Sequence, residues 1–349
     1  MPENPVAPLR LGRLDLADNL IQAPLAGYSS FPFRLLAWRF GRPGLLATEM
    51  ISANALRQGL ASQERYLRRT PAEGPIMYQI WGSEPEAAGF AAAVVTERGA
   101  AAVDLNCGCP VRKVRAAGAG SRLMEDIPRL ARLVGAMRKN TSLPLSIKIR
   151  LGPSGDNFNA AEAARAAEAE GADWLTVHGR HARESYASPC RLGEIRRVVE
   201  AVGIPVIGNG DVRDGAGARE MFEKAGVAGI MLGRACLGAP WIFARVRAEC
   251  SGESWAPPAP AEVADILLRH HDLLAELLDP ERAIRQIRKL GSFYSRSLAG
   301  AREFRNRLNF CRSRDELAGL AANFFHGSPV PDGRPVSGAR PRESEPANV

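Results

Sequence analysis

The feature that most constrains this chain is an eightfold alternation of short apolar runs with longer amphipathic stretches. The runs, each bounded by Gly, Pro or Asn, span Leu20 to Ala26, Leu45 to Met50, Ile76 to Gly82, Ala102 to Cys107, Leu145 to Leu151, Trp174 to Gly179, Ile204 to Asn209 and Gly229 to Gly233. Stretches of helical period separate them, among them Pro85 to Glu97, Pro128 to Lys139, Ala160 to Glu170 and Asp214 to Lys224, with Gly171 and Gly226 as helix stops. Strands joined through helices run parallel, and eight such units predict closure into an α/β fold, a (β/α)8 TIM barrel. Such a barrel takes about 250 residues. A remainder of the 349-residue chain must therefore build something else.

Alternation within the strands places the chemistry, because successive side chains point to opposite faces. Lys148 and Arg150 share one face, with Ile147, Ile149 and Leu151 on the other. Asp104 and Asn106 oppose Val103 and Leu105 in the same way, and Thr176 and His178 oppose Leu175 and Val177. An open, helix-covered parallel sheet would be apolar on both faces. One such strand reads as a solvated edge; three predict a polar pocket at the C-terminal mouth of a barrel, where this architecture keeps its active sites. At 46% hydrophobic and 24% charged residues the chain can bury a core, which excludes intrinsic disorder. No apolar run approaches the ~18 residues that span a bilayer, and the opening MPENPVAPLRLGRLDL lacks a secretory core, so a cytoplasmic protein without membrane contact is expected. Six irregularly spaced cysteines argue against a disulfide framework.

The barrel is expected over residues 11–250. After the Pro-rich SWAPPAPAEV come helical stretches at Glu262 to Asp279, Arg282 to Leu298 and Ala301 to Leu320, so a small helical domain is expected over 260–325 and a disordered tail over 326–349. The chain's net charge is +8, and between Glu281 and Asp315 ten basic residues face three acidic ones, a net of +7. That concentration favours an anionic partner such as nucleic acid.

Two loops carry phosphate chemistry. G-N-G-D at Gly208 to Asp211 follows the seventh strand, and L-G-R at Leu232 to Arg234 follows the eighth. These are the phosphate positions of such barrels: glycines let backbone N–H groups approach the anion, and Arg234 adds a forked cation. A mononucleotide such as FMN fits them. At the end of the fourth strand, N-C-G-C-P spans Asn106 to Pro110. Two thiols without further ligands at matching spacing predict no metal site. Cys107 reads as a buried structural thiol and Cys109, at the junction with the loop, as a chemical one.

With A-P-L-A-G at Ala23 to Gly27, Y-Q-I-W-G at Tyr78 to Gly82, K-I-R-L-G at Lys148 to Gly152 and V-H-G-R at Val177 to Arg180, these motifs resemble the bacterial tRNA-dihydrouridine synthases, collinearly from about Leu11 to Leu320. The resemblance implies reduction of the C5–C6 double bond of uridine in tRNA, with FMN as cofactor and NADPH as reductant. It implies Cys109 as the acid that protonates C5 while hydride adds to C6. Pro24, Leu25 and Ala26 would border the flavin ring, with Gln79 and Lys148 on its polar edge. His178, Asn209, Gly210, Asp211, Gly233 and Arg234 would hold the ribityl chain and phosphate. Asn106, Arg150 and Arg180 would meet the uridine or its phosphate. Helical spacing puts Arg285, Arg288 and Lys289 on one face of the C-terminal helices, which is expected to meet the rest of the RNA. A monomer is expected.

Some positions depart from the family pattern: Ser30 stands where an acidic residue is usual, and His181 and Ala182 replace a common Thr-Arg. Tyr186 keeps its expected place. Alternative substrates are ribosomal RNA or a free pyrimidine, the latter as in flavin barrels similar to dihydroorotate dehydrogenase. A non-enzymatic RNA-binding protein is a further alternative, and intact Cys109, Lys148 and phosphate loops argue against it.

Overall fold

A computed structural model describes residues 4–296 and 298–326; the tail expected over 326–349 lies, beyond His326, outside the described residues. Eight parallel strands form the barrel: β1 (Leu20–Gln22), β2 (Leu46–Ala47), β3 (Ile76–Trp81), β4 (Ala102–Asn106), β5 (Leu145–Arg150), β6 (Trp174–His178), β7 (Val206–Asn209) and β8 (Gly229–Leu232). Their order is β1-β8-β7-β6-β5-β4-β3-β2. The ring closes where Ile21 bridges Leu45, with Gln22 N–H donating to the Leu45 carbonyl at 2.9 Å. Helices pack outside, including α1 (Phe31–Gly41), α2 (Pro85–Glu97), α3 (Ile127–Asn140), α4 (Ala160–Ala169), α5 (Leu192–Val199), α6 (Gly215–Ala225) and α7 (Ile242–Ser251). Sequence explains them locally. On α2, proline fills the first turn and the small residues Ala87, Ala88, Ala91 and Ala92 are buried, letting helix and strands approach closely. On α6, Asp214 accepts from Gly217 N–H, and Gly226 ends the helix at φ 68.

Several boundaries differ from those expected. The second strand is only Leu46–Ala47, and a two-residue strand, Ile51–Ser52, resumes pairing on β3. Between them the Thr48 hydroxyl, in place of a backbone carbonyl, accepts from Gln79 N–H at 3.1 Å. β7 starts at Val206 because Pro205 has no N–H to give the ladder. The last helical stretch splits at residues 309–313. A hairpin of Leu9–Leu11 with Leu14–Leu16 was not anticipated, although L-R-L-G-R-L-D-L alternates around a glycine that takes φ 59. Its Leu11 and Leu16 join Ile21, Leu45, Met77, Trp174, Ile207 and Met231 in one buried cluster drawn mainly from strand starts, so the hairpin plugs the N-terminal end.

The C-terminal helices are α8 (Pro260–Leu277), α9 (Pro280–Tyr294), α10 (Ala301–Leu308) and α11 (Arg314–Phe325). They bury a core of their own, with Leu267, Leu274, Ile287, Phe304, Leu308 and Leu317. Asp279 and Ser313 cap α9 and α11 by accepting from the N–H groups of Arg282 and Glu316. This region docks on the barrel where Leu273 packs with Phe31 and Leu36, each such buried side chain contributing roughly 1.5–3 kcal/mol. A second contact involves the loop after β1: Tyr28 meets Phe293 edge-on at 5.7 Å, and Gln286 donates to the Gly27 carbonyl at 2.7 Å. Among the described residues, no helix is long and apolar enough to cross a membrane.

Candidate active site

Above the apolar plug the barrel interior turns polar, as the period-two reading requires. Asp104 sits in register with Ser146 and Gln79, and Asn106 with Lys148. Lys148 in turn pairs with Thr176, and Arg150 and Asn209 both pair with His178. These side chains build a one-way hydrogen-bond relay. Ser146 Oγ and Gln79 Nε2 each donate to the Asp104 carboxylate at 2.6 Å. The carboxylate accepts only, so it forces Gln79 to turn Oε1 outward, where it accepts from Asn106 Nδ2 at 2.8 Å. Asn106 thereby aims Oδ1 at the Cys109 N–H, 2.9 Å away. Asp104 is fully buried, and desolvation pushes its pKa up to about 6 against the pull of Ser146, Gln79 and Lys148.

Cys109 is half-buried in the loop after β4. Burial raises its thiol pKa, outweighing the Val111 N–H and the Arg150 and Lys148 charges, so the sulfur stays protonated through neutral pH. Arg150 braces the same loop, donating to the Gly108 carbonyl at 2.9 Å and the His181 carbonyl at 3.0 Å. Cys107 is fully buried, with its pKa raised well above the ordinary value.

Lys148 Nζ donates to Asn209 Oδ1 at 2.9 Å, and Asn209 Nδ2 is fixed by the Met231 carbonyl at 2.8 Å. Burial first, then the Arg150 charge, brings the ammonium pKa down to about 8. His178 stacks on Tyr186 at 5.9 Å, and burial together with the surrounding cations holds its imidazole well below the usual range, hence neutral at pH 7. Pro24 and Leu25 are half-buried and Ala26 exposed at the end of β1, next to the tip of β8, where a Cβ on Gly233 would lie 3.9 Å from Leu25 Cδ2. In the G-N-G-D loop Gly210 takes φ 133 and Asp211 φ 57, which turns the chain sharply. The Asp211 carboxylate accepts from Arg180, Arg234 and the Cys190 N–H, so it orients the two guanidiniums.

Several residues expected to meet RNA or flavin are engaged within the protein. Arg180 is 1% exposed, and its guanidinium is spent on the Ser188 and Tyr186 carbonyls, His178 and Asp211, which makes it a strut of the loop after β6. Arg285, Arg288 and Lys289 do not form one basic face. Arg285 is exposed beside Glu281 at 3.4 Å, and Lys289 lies 4.0 Å over the Tyr28 ring. Arg288 turns inward to donate through Nε to the Cys311 carbonyl at 2.7 Å, because its flank of α9 meets the α10–α11 connection. Gln79 is fully buried, with both ends of its amide engaged in the relay.

Sequence reasoning gave no site role to Asp104, Glu49 or Arg34. Glu49, at the end of the second strand, accepts from the Gly27 N–H, and burial raises its pKa against the pull of Arg65, Arg34 and Lys289. Arg34 pairs with Glu73 at 2.8 Å while donating to the Ser29 and Arg68 carbonyls. It thus anchors the loop that follows β1. Tyr186 is 49% exposed and carries the Arg234 guanidinium 4.2 Å from its ring centroid. The polar ends of strands were the available signal for Asp104 and Glu49; no spacing announced Arg34.

Known proteins can be set beside this geometry. Residues 21–326 match the family described as dihydrouridine synthase (Dus). The chain is 34% identical over 318 residues to tRNA-dihydrouridine synthase B of Pseudomonas aeruginosa, covering 91% of this chain and 96% of that one. It is 33% identical over 318 residues to the protein of the same name from Xanthomonas axonopodis, with the same coverage. Among solved structures, a 2-naphthoyl-CoA reductase complex superposes with a TM-score of 0.56 at 14% identity, over 72% of this chain and 53% of that one, a likeness of fold alone. The match runs from within β1 through the other seven strands of the barrel, the cysteine loop and the C-terminal helices, and the chain belongs to the dihydrouridine synthase family.

Proposed function

We propose that this protein reduces the C5–C6 double bond of uridine in tRNA to dihydrouridine, with FMN as cofactor and NADPH as reductant. The observation that carries the reading is the relay from Asp104 through Gln79 and Asn106 to the Cys109 amide, which holds a protonated thiol at the barrel mouth. The names of the Pseudomonas and Xanthomonas relatives support tRNA as the substrate.

The residues present fit FMN. Lys148 offers a half-buried ammonium, suited to negative charge on the polar edge of a bound ring. Thr176 Oγ1 is buried with no partner among the described residues, which leaves polar capacity in the layer that holds Lys148. A Cβ at Gly233 would meet nothing closer than Ala23 Cβ at 3.8 Å, so the tip of β8 is bare enough for backbone to approach a phosphate, with Arg234 alongside. When bound, the flavin would supply the hydride for C6, drawn from NADPH. Cys109 gives its thiol proton to C5, and the thiolate regains a proton from solvent. Asn106 and Arg150 fix the loop on which that sulfur rides, so the proton arrives from one direction. Neutral His178, Asn209 and the loops after β7 and β8 would hold the ribityl phosphate.

The test is to incubate the purified, flavin-loaded protein with unmodified tRNA and NADPH and to map dihydrouridine by mass spectrometry. Product in tRNA is expected. Product only in ribosomal RNA, or only from free pyrimidine, would replace the substrate; a protein that takes up no flavin would end the reading.

A further inference from the structure

The loop that carries Cys109 does not end at the pocket. It runs through Pro110 and the exposed Val111 into the short helix Arg112–Ala116 and on to Arg122, and these residues enclose an open cleft of about 510 Å³ lined by Pro110, Arg112, Arg115, Ala116 and Arg122. Two residues separate Cys109 from Arg112, which keeps their Cα atoms within about 11 Å. The Arg112 and Lys113 side chains are exposed and make neither ion pair nor hydrogen bond among the described residues. Glu125 is shared by Arg115, at 2.9 Å, and Arg122, so one carboxylate answers two guanidiniums and positive charge remains uncompensated. Arg115 also donates to Ser121 Oγ at 3.0 Å, and the Ser121 N–H donates to the Cys109 carbonyl at 2.9 Å. The cleft is therefore tied to the cysteine loop by two hydrogen bonds.

We propose that this arginine cleft seats a backbone phosphate of the RNA strand flanking the uridine that enters the pocket. The inference rests on the RNA reading above and adds to it a contact on the barrel itself, separate from the C-terminal helices. A base drawn out of an RNA brings its neighbouring phosphates to the rim, and forked guanidiniums recognise phosphate oxygens in pairs. Val111, 42% exposed at the lip, offers apolar contact to the sugar or base beside that phosphate. Through Arg115 and Ser121, a seated phosphate steadies the cysteine loop at the moment substrate is present.

The experiment compares the intact protein with the double variant Arg112→Ala, Arg122→Ala, and with Arg132→Ala on the exposed side of α3 as a control. Binding of unmodified tRNA is followed by fluorescence anisotropy across a salt series, and NADPH-driven flavin reduction is followed in parallel. The double variant should bind about tenfold more weakly, with a salt slope shallower by about 0.8 for the one phosphate no longer neutralised. Flavin reduction and the control should be unchanged. Unchanged tRNA affinity in the double variant would overturn the cleft alone. A raised KM for NADPH with tRNA binding intact would reassign the cleft to the reductant's phosphates. Failure of the intact protein to bind tRNA would overturn the substrate reading and the cleft with it.

Discussion

The barrel mouth and the C-terminal helices both carry buried or crowded charge, yet they treat it in opposite ways. At the mouth nearly every polar atom is held by a partner that is itself held: Asp104 by Ser146 and Gln79, Lys148 by Asn209, Arg150 by two carbonyls. On the helices most cations are exposed, and Arg285 has only one long contact to Glu281. Chemistry at a single atom requires preorganisation to within fractions of an ångström, whereas attraction of a polyanion requires only charge density. The contrast predicts that changes at the mouth are severe and specific and that changes on the helices are graded.

The largest effect should come from Cys109→Ala. If the thiol is the proposed proton donor, dihydrouridine formation should fall by about 10²–10⁴-fold while flavin content and its reduction by NADPH persist, as single-turnover assays and absorbance will reveal. Full turnover would remove the sulfur from the mechanism. Next, Asp104→Ala leaves the Gln79 amide and Ser146 hydroxyl without their acceptor. It should cost about 3 kcal/mol in a denaturant titration and lower turnover about a hundredfold. Asp104→Asn, which can accept from Gln79 and donate to Ser146, should recover most of both. Smaller still, Arg285→Ala with Lys289→Ala should weaken tRNA binding by about tenfold with flavin occupancy intact. Arg288→Ala should instead cost about 1 kcal/mol of stability in the helical region and change affinity less than twofold. If Arg288 proved the stronger RNA contact, the division between braced and solvated cations would fail on this helix.

A pH series sharpens the comparison further. Lys148 titrates at about 8 in the folded protein, below its ordinary 10.5, so its charged form is disfavoured by folding. Stability from this group is present above pH 10.5 and lost as pH falls through about 8. Flavin affinity should run the other way, falling severalfold as pH rises through 8 and the ammonium is lost. Lys148→Met should flatten that step in a fluorescence titration; a step that survives belongs to another group.

The barrel was legible in the sequence because period two and the Gly and Pro stops are local signals. Asp104, Asn106, Lys148 and His178 announced their inward face by alternation alone. What was not legible depended on partners distant in sequence. Nothing in the spacing of Arg180 shows that Ser188 and Asp211 will surround it. Helical spacing grouped Arg288 with Arg285, and only the fold places the Cys311 carbonyl within its reach. Thr48 interrupts the second strand because its hydroxyl substitutes for a ladder acceptor, a choice any threonine could decline.

The contact of Gln286 and Phe293 with Gly27 and Tyr28 has a consequence for anyone rebuilding this protein. Chain cut away after Ser251 would bare Tyr28, Phe31 and Leu36 to water and unfasten the turn beside β8. A chimera that borrows another helical module must therefore transplant those two residues with it, or inherit a catalytic half whose entrance has come unhinged.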